Sequence, residues 1–293
     1  MAVINTNVSA IKAANASNAA SKMAATAMER LSTGKRINSA KDDAAGLAIS
    51  TTMTTQIVGM AQGVRNANDG ISMAQTAEGA LSEVTNMMQR VRELAVQSKS
   101  DTYQQSDRDA MQSEVSNLTN QISDVLNNTK FNGNAVFKVV ADAAATDGSD
   151  DLTKSIQTGA ETGDTVTIVS KAFSGGNLFG AGATAYDPAA TAQSLDVSDT
   201  GKASTTMDNI DKALAEVNAT RATLGAGQNR LSSVVANLND NITNLSDARS
   251  RIQDTDYSAE TTQMAKAQIL AQASTAMIAQ ANQSQQNVLS LLR

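Results

Sequence analysis

The side chains that most often carry out chemistry in proteins are nearly missing from this sequence. Its 293 residues include no Cys and no His, which excludes thiol nucleophiles, disulfides and the commonest metal ligand and general base near neutral pH. Ser-His-Asp triads and HExxH zinc sites cannot form either. Carboxylates remain as the groups that could bind a metal or transfer a proton.

The acidic and glycine-rich motifs give little support to a catalytic, metal or phosphate site. Asp42 and Asp43 are adjacent and would point in different directions on a helix, so we predict that they place negative charge before a helix starting near Ala44. Residues 147–151 match part of a calcium loop but lack its terminal Glu. The glycines of 175–182 are not followed by GK[ST]. We therefore predict that the protein is not an enzyme and needs no cofactor or metal.

Charge and hydropathy argue against two kinds of partner. The formal net charge is −6, whereas a nucleic-acid-binding face is basic, so we expect no nucleic acid. No stretch approaches the roughly 20 consecutive apolar residues of a membrane span. The N-terminus also lacks the continuous apolar segment of a secretory signal. The sequence therefore predicts neither membrane insertion nor a Sec-type leader.

Apolar residues at spacings of three and four predict long helices in both halves of the chain. The strongest stripe runs through 57–95, and a second one through 111–125 is followed by a break at Asn127-Asn128. A heptad pattern follows in 207–245. The sequence contains a single Pro, so few residues interrupt these helices. The fold class predicted from these patterns is mainly α, a long antiparallel coiled-coil rod.

The middle of the chain has a different pattern. Residues 135–140 and 165–169 carry strand propensity. The segment 131–134, Phe-Asn-Gly-Asn, predicts a turn that leads into the first of them. Residues 141–164 and 174–202 are rich in acids and glycines, and we expect them to form loops.

Both chain ends carry narrow apolar stripes that neither helix can bury alone. Each stripe must pair with the other chain end, with another subunit or with a membrane surface. The polar face of the last helix is made of Gln and Asn, which does not suit an interfacial anchor. We therefore predict assembly of many copies through the ends. The predicted polymerisation seam consists of Ile4, Val8, Ile11, Leu31, Leu270, Met277, Ala281, Val288 and Leu291.

Four segments of the chain match a known family in order and in spacing. They are RLSTGKRINSAKDDAAGLAIS at 30–50, QTAEGALSEVTNMMQRVRELAVQ at 75–97, GAGQNRL at 225–231, and the run from 254 to 293 that ends in NVLSLLR. On these residues the chain resembles bacterial flagellin, the subunit family of the flagellar filament.

The resemblance implies an architecture in which the terminal helices form an inner tube on assembly. A helical rod would carry a small β-hairpin with strands around Phe137 and Ile168. The implied domains are 1–40 with 255–293 as the inner terminal-helix domain, 41–56 as a linker, 57–140 with 165–254 as the rod, and 141–206 as a short variable outer-surface region.

The function that this resemblance implies is structural. The subunit would polymerise into the filament for swimming motility and lie outside the cell. It would be exported through a type III apparatus, and its partners would be other copies of itself, an export chaperone, the filament cap and hook-junction proteins. Toll-like receptor 5 would recognise the monomer through a surface centred on Arg90. The residues implied for that surface, and for subunit contacts, are Gln89, Arg90, Leu94, Gln97 and Glu114.

Two alternatives stay open at this point. A hook–filament junction protein would share the terminal helices, but the close match of both terminal blocks favours flagellin. A cell-surface ligand-binding or adhesive protein would use the loops of 141–206. That region is acidic and has few aromatic residues, so it lacks the stacking platform usual in sugar binding.

Overall fold

The helices predicted from the apolar stripes are present. The structure is a computed structural model that describes residues 6–141, 148–190 and 193–290, with side chains as far as residue 287. The helices are α1 (Val8–Thr33), α2 (Ala44–Ser98), α3 (Gln105–Asn128), α4 (Gly175–Leu178), α5 (Thr200–Gln253) and α6 (Tyr257–Ser290). The mainly α fold class is thereby confirmed, as is the end of α3 at the two asparagines.

Short strands occupy the region between α3 and α5. In the part of this region that the structure describes, they form three pairs: β1 (Lys130–Phe131) with β2 (Asn134–Ala135), antiparallel; β3 (Val139–Val140) with β6 (Phe173–Ser174), parallel; and β4 (Leu152–Gln157) with β5 (Thr165–Ser170), antiparallel. The predicted turn joins β1 to β2, with φ of 48° at Asn132 and 79° at Gly133. Two successive residues with positive φ are typical of the tight hairpin turn that an Asn-Gly pair favours.

The predicted hairpin between strands around Phe137 and Ile168 is wrong. Ile168 lies in β5 and stands opposite Lys154 of β4, so a segment expected to be a loop contains its partner strand. Phe137 instead lies between β2 and β3 and packs edge-on against Phe173, with ring centroids 5.8 Å apart. The signal for β4 was weak because Lys and Ser interrupt its apolar residues, and its pairing depends on contacts with β5 and α2.

The chain divides into two compact units. One contains the residues up to 57 and from 243 onward, and the other contains 58–242. Because α2 begins at Ala44, most of the predicted linker 41–56 is helical. The predicted domain boundaries at 40 and 255 stay a prediction.

In the unit formed by 58–242, α2 and α5 pack antiparallel. Arg92 of α2 pairs with Asp211 of α5 at 2.8 Å, and Glu78 of α2 faces Arg221 of α5 at 3.6 Å. The residue numbers of α2 therefore decrease where those of α5 increase, as in an antiparallel pair. The apolar stripe of α2 is buried from Ala67 to Ala95, together with residues of α3 and α5. The middle region also contributes to this core through Phe173, Phe179, Leu195 and Val197.

Glycines of α2 let the turn of the β4–β5 hairpin approach the helix backbone. A Cβ added to Gly63 would collide with the carbonyl of Thr158, and one added to Gly59 would lie 2.6 Å from the Cβ of Ala160. The side chain of Asn66 donates a hydrogen bond to the carbonyl of Gln157 at 2.9 Å. Two glycines one helical turn apart therefore provide the groove that holds this hairpin.

Candidate functional site

The two terminal helices pair with each other through small side chains. Asn7 donates a hydrogen bond to the carbonyl of Ala281 at 3.1 Å. At the other end of the pair, the N–H of Thr255 donates to the carbonyl of Gly34 at 3.0 Å. The helices are thus antiparallel. The buried residues of this seam, mostly seven positions apart, are Ala20 and Ala27 of α1 and Ala267, Ser274 and Ala281 of α6.

The loop between α1 and α2 is held by glycine and aspartate at the helix ends. Gly34 ends α1 with φ of 69°, the left-handed conformation that glycine adopts at little cost. Asp43 accepts the N–H of Gly46 at 2.9 Å in the first turn of α2. Asp42 accepts the N–H groups of Asn38 and Ser39, and these bonds hold the pKa of its carboxyl below the ordinary value. The two carboxylates therefore order this loop and the start of α2, and the helix begins at Ala44, as the sequence predicts.

A second apolar face of α6 lies outside the seam with α1. Its five residues are exposed at spacings of three, four and seven: Ile269, Leu270, Ala273, Ala276 and Met277. Leu270 is 40% exposed and Met277 61% exposed. On α1, large apolar side chains are exposed at Val8, Ile11, Met23 and Met28. Unpartnered apolar side chains on both helices are typical of a surface that contacts another molecule.

The predicted seam residues fall into different environments. Val8, Ile11, Leu270 and Met277 are exposed, and Leu31 is half-buried. Ala281 is buried against α1 in the same chain, at 8% exposure, because its small side chain fits the close approach of the two helices. Ile4, Leu291 and the side chain of Val288 lie outside the described residues. The sequence missed Ile269, Ala273 and Ala276, although their spacing of four and three matches a helix face.

Arg90 lies at the centre of a charged cluster between α2 and α3. Its Nε donates to Glu114 at 2.8 Å and its Nη1 donates to Glu93 at 2.6 Å. The two carboxylates raise the pKa of Arg90 above its ordinary value, and the hydrogen bond to Glu114 has the largest effect. The side chain of Arg90 remains 45% exposed, so a partner can reach a guanidinium whose orientation is already fixed.

The other residues implied for this surface are divided between solvent and core. Gln89 and Gln97 are exposed, and Gln97 donates to the hydroxyl of Tyr103 at 3.2 Å. Leu94 is 2% exposed and belongs to the apolar core, so its expected place on the surface is corrected. The α-helical period carries position 94 to the same buried side of α2 as Val91 and Ala95.

Glu216 is the one carboxyl in the described residues whose pKa is raised by burial. It lies on α5 and accepts hydrogen bonds from the N–H of Ser174 at 2.9 Å and from the side chain of Asn177 at 3.1 Å. Desolvation is the largest effect on its pKa, and the two hydrogen bonds oppose it. The carboxylate holds the end of β6 and the following α4 onto α5, at an electrostatic cost near neutral pH.

Substitution of Glu216 by Gln is expected to flatten the pH dependence of stability. A folded-state pKa above the unfolded one adds stability at low pH that is lost as pH rises through the folded value. The free energy of unfolding should therefore increase as pH falls from neutrality toward 4.5, the ordinary value for glutamate. Urea unfolding at several pH values measures this slope, with Glu83→Gln on the exposed side of α2 as the control. Equal slopes in Glu216→Gln and in the unaltered protein would contradict the assignment.

The described residues form neither a metal-binding cluster of acidic side chains nor a helix that could span a membrane. Across 6–141, 148–190 and 193–290, no three acidic side chains come together as a metal-binding group. The segment that partly matches a calcium loop begins at Asp147, which lies outside the described residues. Within the same ranges, no helix combines the length and apolar character of a membrane span.

Paired terminal helices and a second unit of long helices with short strands define a protein built mainly from helices. A family described as the bacterial flagellin N-terminal helical region matches residues 4–142, and one described as the bacterial flagellin C-terminal helical region matches residues 207–292. The chain belongs to the bacterial flagellin family, whose members are structural subunits of the flagellar filament that serve motility.

Individual relatives agree with this assignment. The chain is 40% identical to a flagellin of Halalkalibacterium halodurans over 291 residues, covering 99% of this chain and all of the relative. It is 36% identical to flagellin D of Vibrio anguillarum over 372 aligned positions, covering 99% of each chain. A solved structure of a putative flagellar hook-associated protein from Vibrio parahaemolyticus aligns with a TM-score of 0.57 at 15% identity, covering 73% of this chain and all of that one. That last similarity concerns the fold alone.

Proposed function

We propose that copies of this chain polymerise through their terminal helices into the filament that drives swimming. The observation that carries the proposal is the second apolar face of α6, from Ile269 to Met277, which α1 leaves uncovered. A face of this kind on each copy, packed against a different face of the next, produces a contact that does not close on itself and propagates into a helical polymer. Burial of each large apolar side chain there would stabilise the polymer by about 1.5–3 kcal/mol.

The small size of the seam residues supports a link between assembly and the ordering of the terminal helices. Alanine and serine bury little apolar area, whereas ordering the backbone costs about 1–2 kcal/mol per residue. The pair formed by α1 and α6 should therefore be only weakly stable until neighbouring copies cover its exposed faces.

Limited proteolysis of monomer and filament tests this link. We expect cleavage in α1 and α6 of the monomer and protection of both helices in the filament, because packing by neighbours removes the locally unfolded states that proteases cut. Helix α3, whose apolar face is buried in the core of the unit formed by 58–242, serves as the internal control and should resist cleavage in both samples. Equal resistance of the terminal helices in monomer and filament would contradict the link.

Salt-induced assembly viewed by negative-stain electron microscopy tests the proposed function directly. Hollow helical tubes are the expected result for purified protein. Discrete particles at high concentration would instead favour a junction protein or an adhesive homologue. Of the three candidates, filament subunit, junction protein and adhesive homologue, the relatives named flagellin favour the filament subunit.

We extend the proposal to the place where the subunit acts and to its export. A filament subunit is placed outside the cell, and it would meet an export chaperone, hook-junction proteins and the filament cap before it joins other copies. Membership of the flagellin family supports these partners and the order in which the subunit would meet them. Detection of the chain in the medium of motile cells, and its loss when the export apparatus is deleted, is the corresponding test.

The exposed cluster around Arg90 supports recognition of the monomer by Toll-like receptor 5. Glu93 and Glu114 fix the guanidinium while leaving it 45% exposed, which preorganises a planar group with several donors. We expect Arg90→Ala to lower receptor activation in a cell reporter by at least about tenfold, a loss typical of a central interface arginine.

Arg92→Ala is the matched control for the receptor experiment. Arg92 lies two positions along α2, is similarly exposed at 42%, and pairs with Asp211 of α5. Its removal should leave activation close to that of the unaltered monomer. If both variants activated the reporter fully, the assignment of the receptor surface to Arg90 would be overturned.

A further inference from the structure

The oxidisable side chains of this protein are almost all methionines. The sequence contains twelve Met but no Cys, no Trp and no His. Thiolates are the usual first target of mild two-electron oxidants, and in their absence the methionine thioether becomes the main target. Where the methionine sulfurs lie therefore determines what an oxidant does to this protein.

Exposure separates the methionines into two groups. Among those whose side chains the structure describes, three are exposed: Met23 at 48%, Met28 at 57% and Met277 at 61%. All three lie on α1 or α6. The others are half-buried or buried, and Met88 and Met111 lie in the core of the unit formed by 58–242.

Met277 also belongs to the second apolar face of α6. It stands seven positions, or two helical turns, after Leu270, and its other neighbours on that face are Ile269, Ala273 and Ala276. None of these side chains has a polar atom that could donate a hydrogen bond. A polar group created at Met277 would therefore find no hydrogen-bond donor among the other four side chains of this face.

We propose that Met277, with Met23 and Met28, is a methionine oxidation site through which peroxide-type oxidants block self-assembly. The inference rests on the proposed polymerisation through the terminal helices. The thioether sulfur takes one oxygen from hydrogen peroxide as the O–O bond breaks, and water is released. The sulfur is oxidised by two electrons and the peroxide is reduced. The resulting sulfoxide is polar, and its burial in an apolar interface is unfavourable.

The first experiment maps the oxidation. Purified monomer is treated with hydrogen peroxide, and the sulfoxide content of each methionine peptide is followed by mass spectrometry. Met277, Met23 and Met28 should oxidise first, well before Met88 and Met111. Oxidation of the two core methionines at the same rate as Met277 would overturn the proposal.

The second experiment measures assembly of the oxidised protein. The critical concentration for salt-induced polymerisation should rise about tenfold or more after oxidation, the change expected when an unpaired polar group must be buried at each contact. Methionine sulfoxide reductase with a thiol reductant should restore assembly. Unchanged polymerisation of monomer that is fully oxidised at Met277 would overturn the proposal.

Leucine variants distinguish this effect from general damage. Leucine resembles methionine in volume and shape but cannot form a sulfoxide. The variant M23L/M28L/M277L should lose little assembly on peroxide treatment relative to its own untreated sample, whereas M88L should remain as sensitive as the unaltered protein. Equal sensitivity of the triple variant would overturn the proposal. Failure of untreated, unaltered protein to form tubes would instead count against the proposed function itself.

Discussion

A single aspartate in place of Leu270 or Met277 is expected to abolish filament assembly while the unit formed by 58–242 stays folded. Both side chains are exposed on α6, so the aspartate of the free subunit remains in water. On assembly, the same carboxylate would have to enter an apolar interface, which costs several kcal/mol when no partner is present. We therefore expect the critical concentration to rise at least about 100-fold.

Sedimentation after salt-induced assembly, together with negative-stain microscopy, measures this loss. Gln268→Asp is the matched control, because Gln268 is exposed on the same helix but does not belong to the apolar face, and this variant should still form tubes. Thermal unfolding followed by circular dichroism checks that the core of α2, α3 and α5 is retained. Normal filaments from Leu270→Asp would show that this face is not an assembly contact.

Alanine in place of Gly63 is expected to destabilise the unit formed by 58–242 by about 2 kcal/mol, a size typical of overpacking. Its Cβ would collide with the carbonyl of Thr158. Because that carbonyl belongs to the backbone of a turn tied to α2 by Asn66, a simple rotamer change cannot relieve the collision. The hairpin formed by β4 and β5 must move away from the helix, which also exposes Ile168.

Gly79→Ala on the same helix provides the control with the opposite sign. A Cβ at Gly79 would have no heavy atom within 4 Å, so alanine there gains helix propensity of about 1 kcal/mol without a collision. Urea unfolding gives both free energies, and hydrogen exchange of β4 and β5 reports whether the hairpin has moved. Stabilisation by Gly63→Ala would show that the hairpin does not need the close approach.

The sequence alone determined the helices of this protein and much of its chemistry. The apolar stripes of α2, α3 and α5 follow the helical period over many turns, so their buried faces could be identified without knowing the partner. The turn at Asn132-Gly133 was also predictable, because positive φ at two successive positions favours those residues. The family was evident from residues 30–50 and 75–97. These segments match the family residue by residue, whereas a helical pattern alone would fix only which positions are apolar.

Only the tertiary structure decided which side chains pair and which stay exposed. Strand β4 escaped prediction because its stability comes from β5 and from α2, contacts that are distant in sequence. The family resemblance likewise implied a surface role for Leu94, although the helix turns its side chain into the core. At the terminal helices, the large apolar residues that the sequence predicted for the polymerisation seam, such as Leu270 and Met277, stay exposed in the single subunit. The contact between α1 and α6 within one chain is made by Ala20, Ala27 and Ala267, because close approach of two helices leaves room for small side chains and directs the large ones outward.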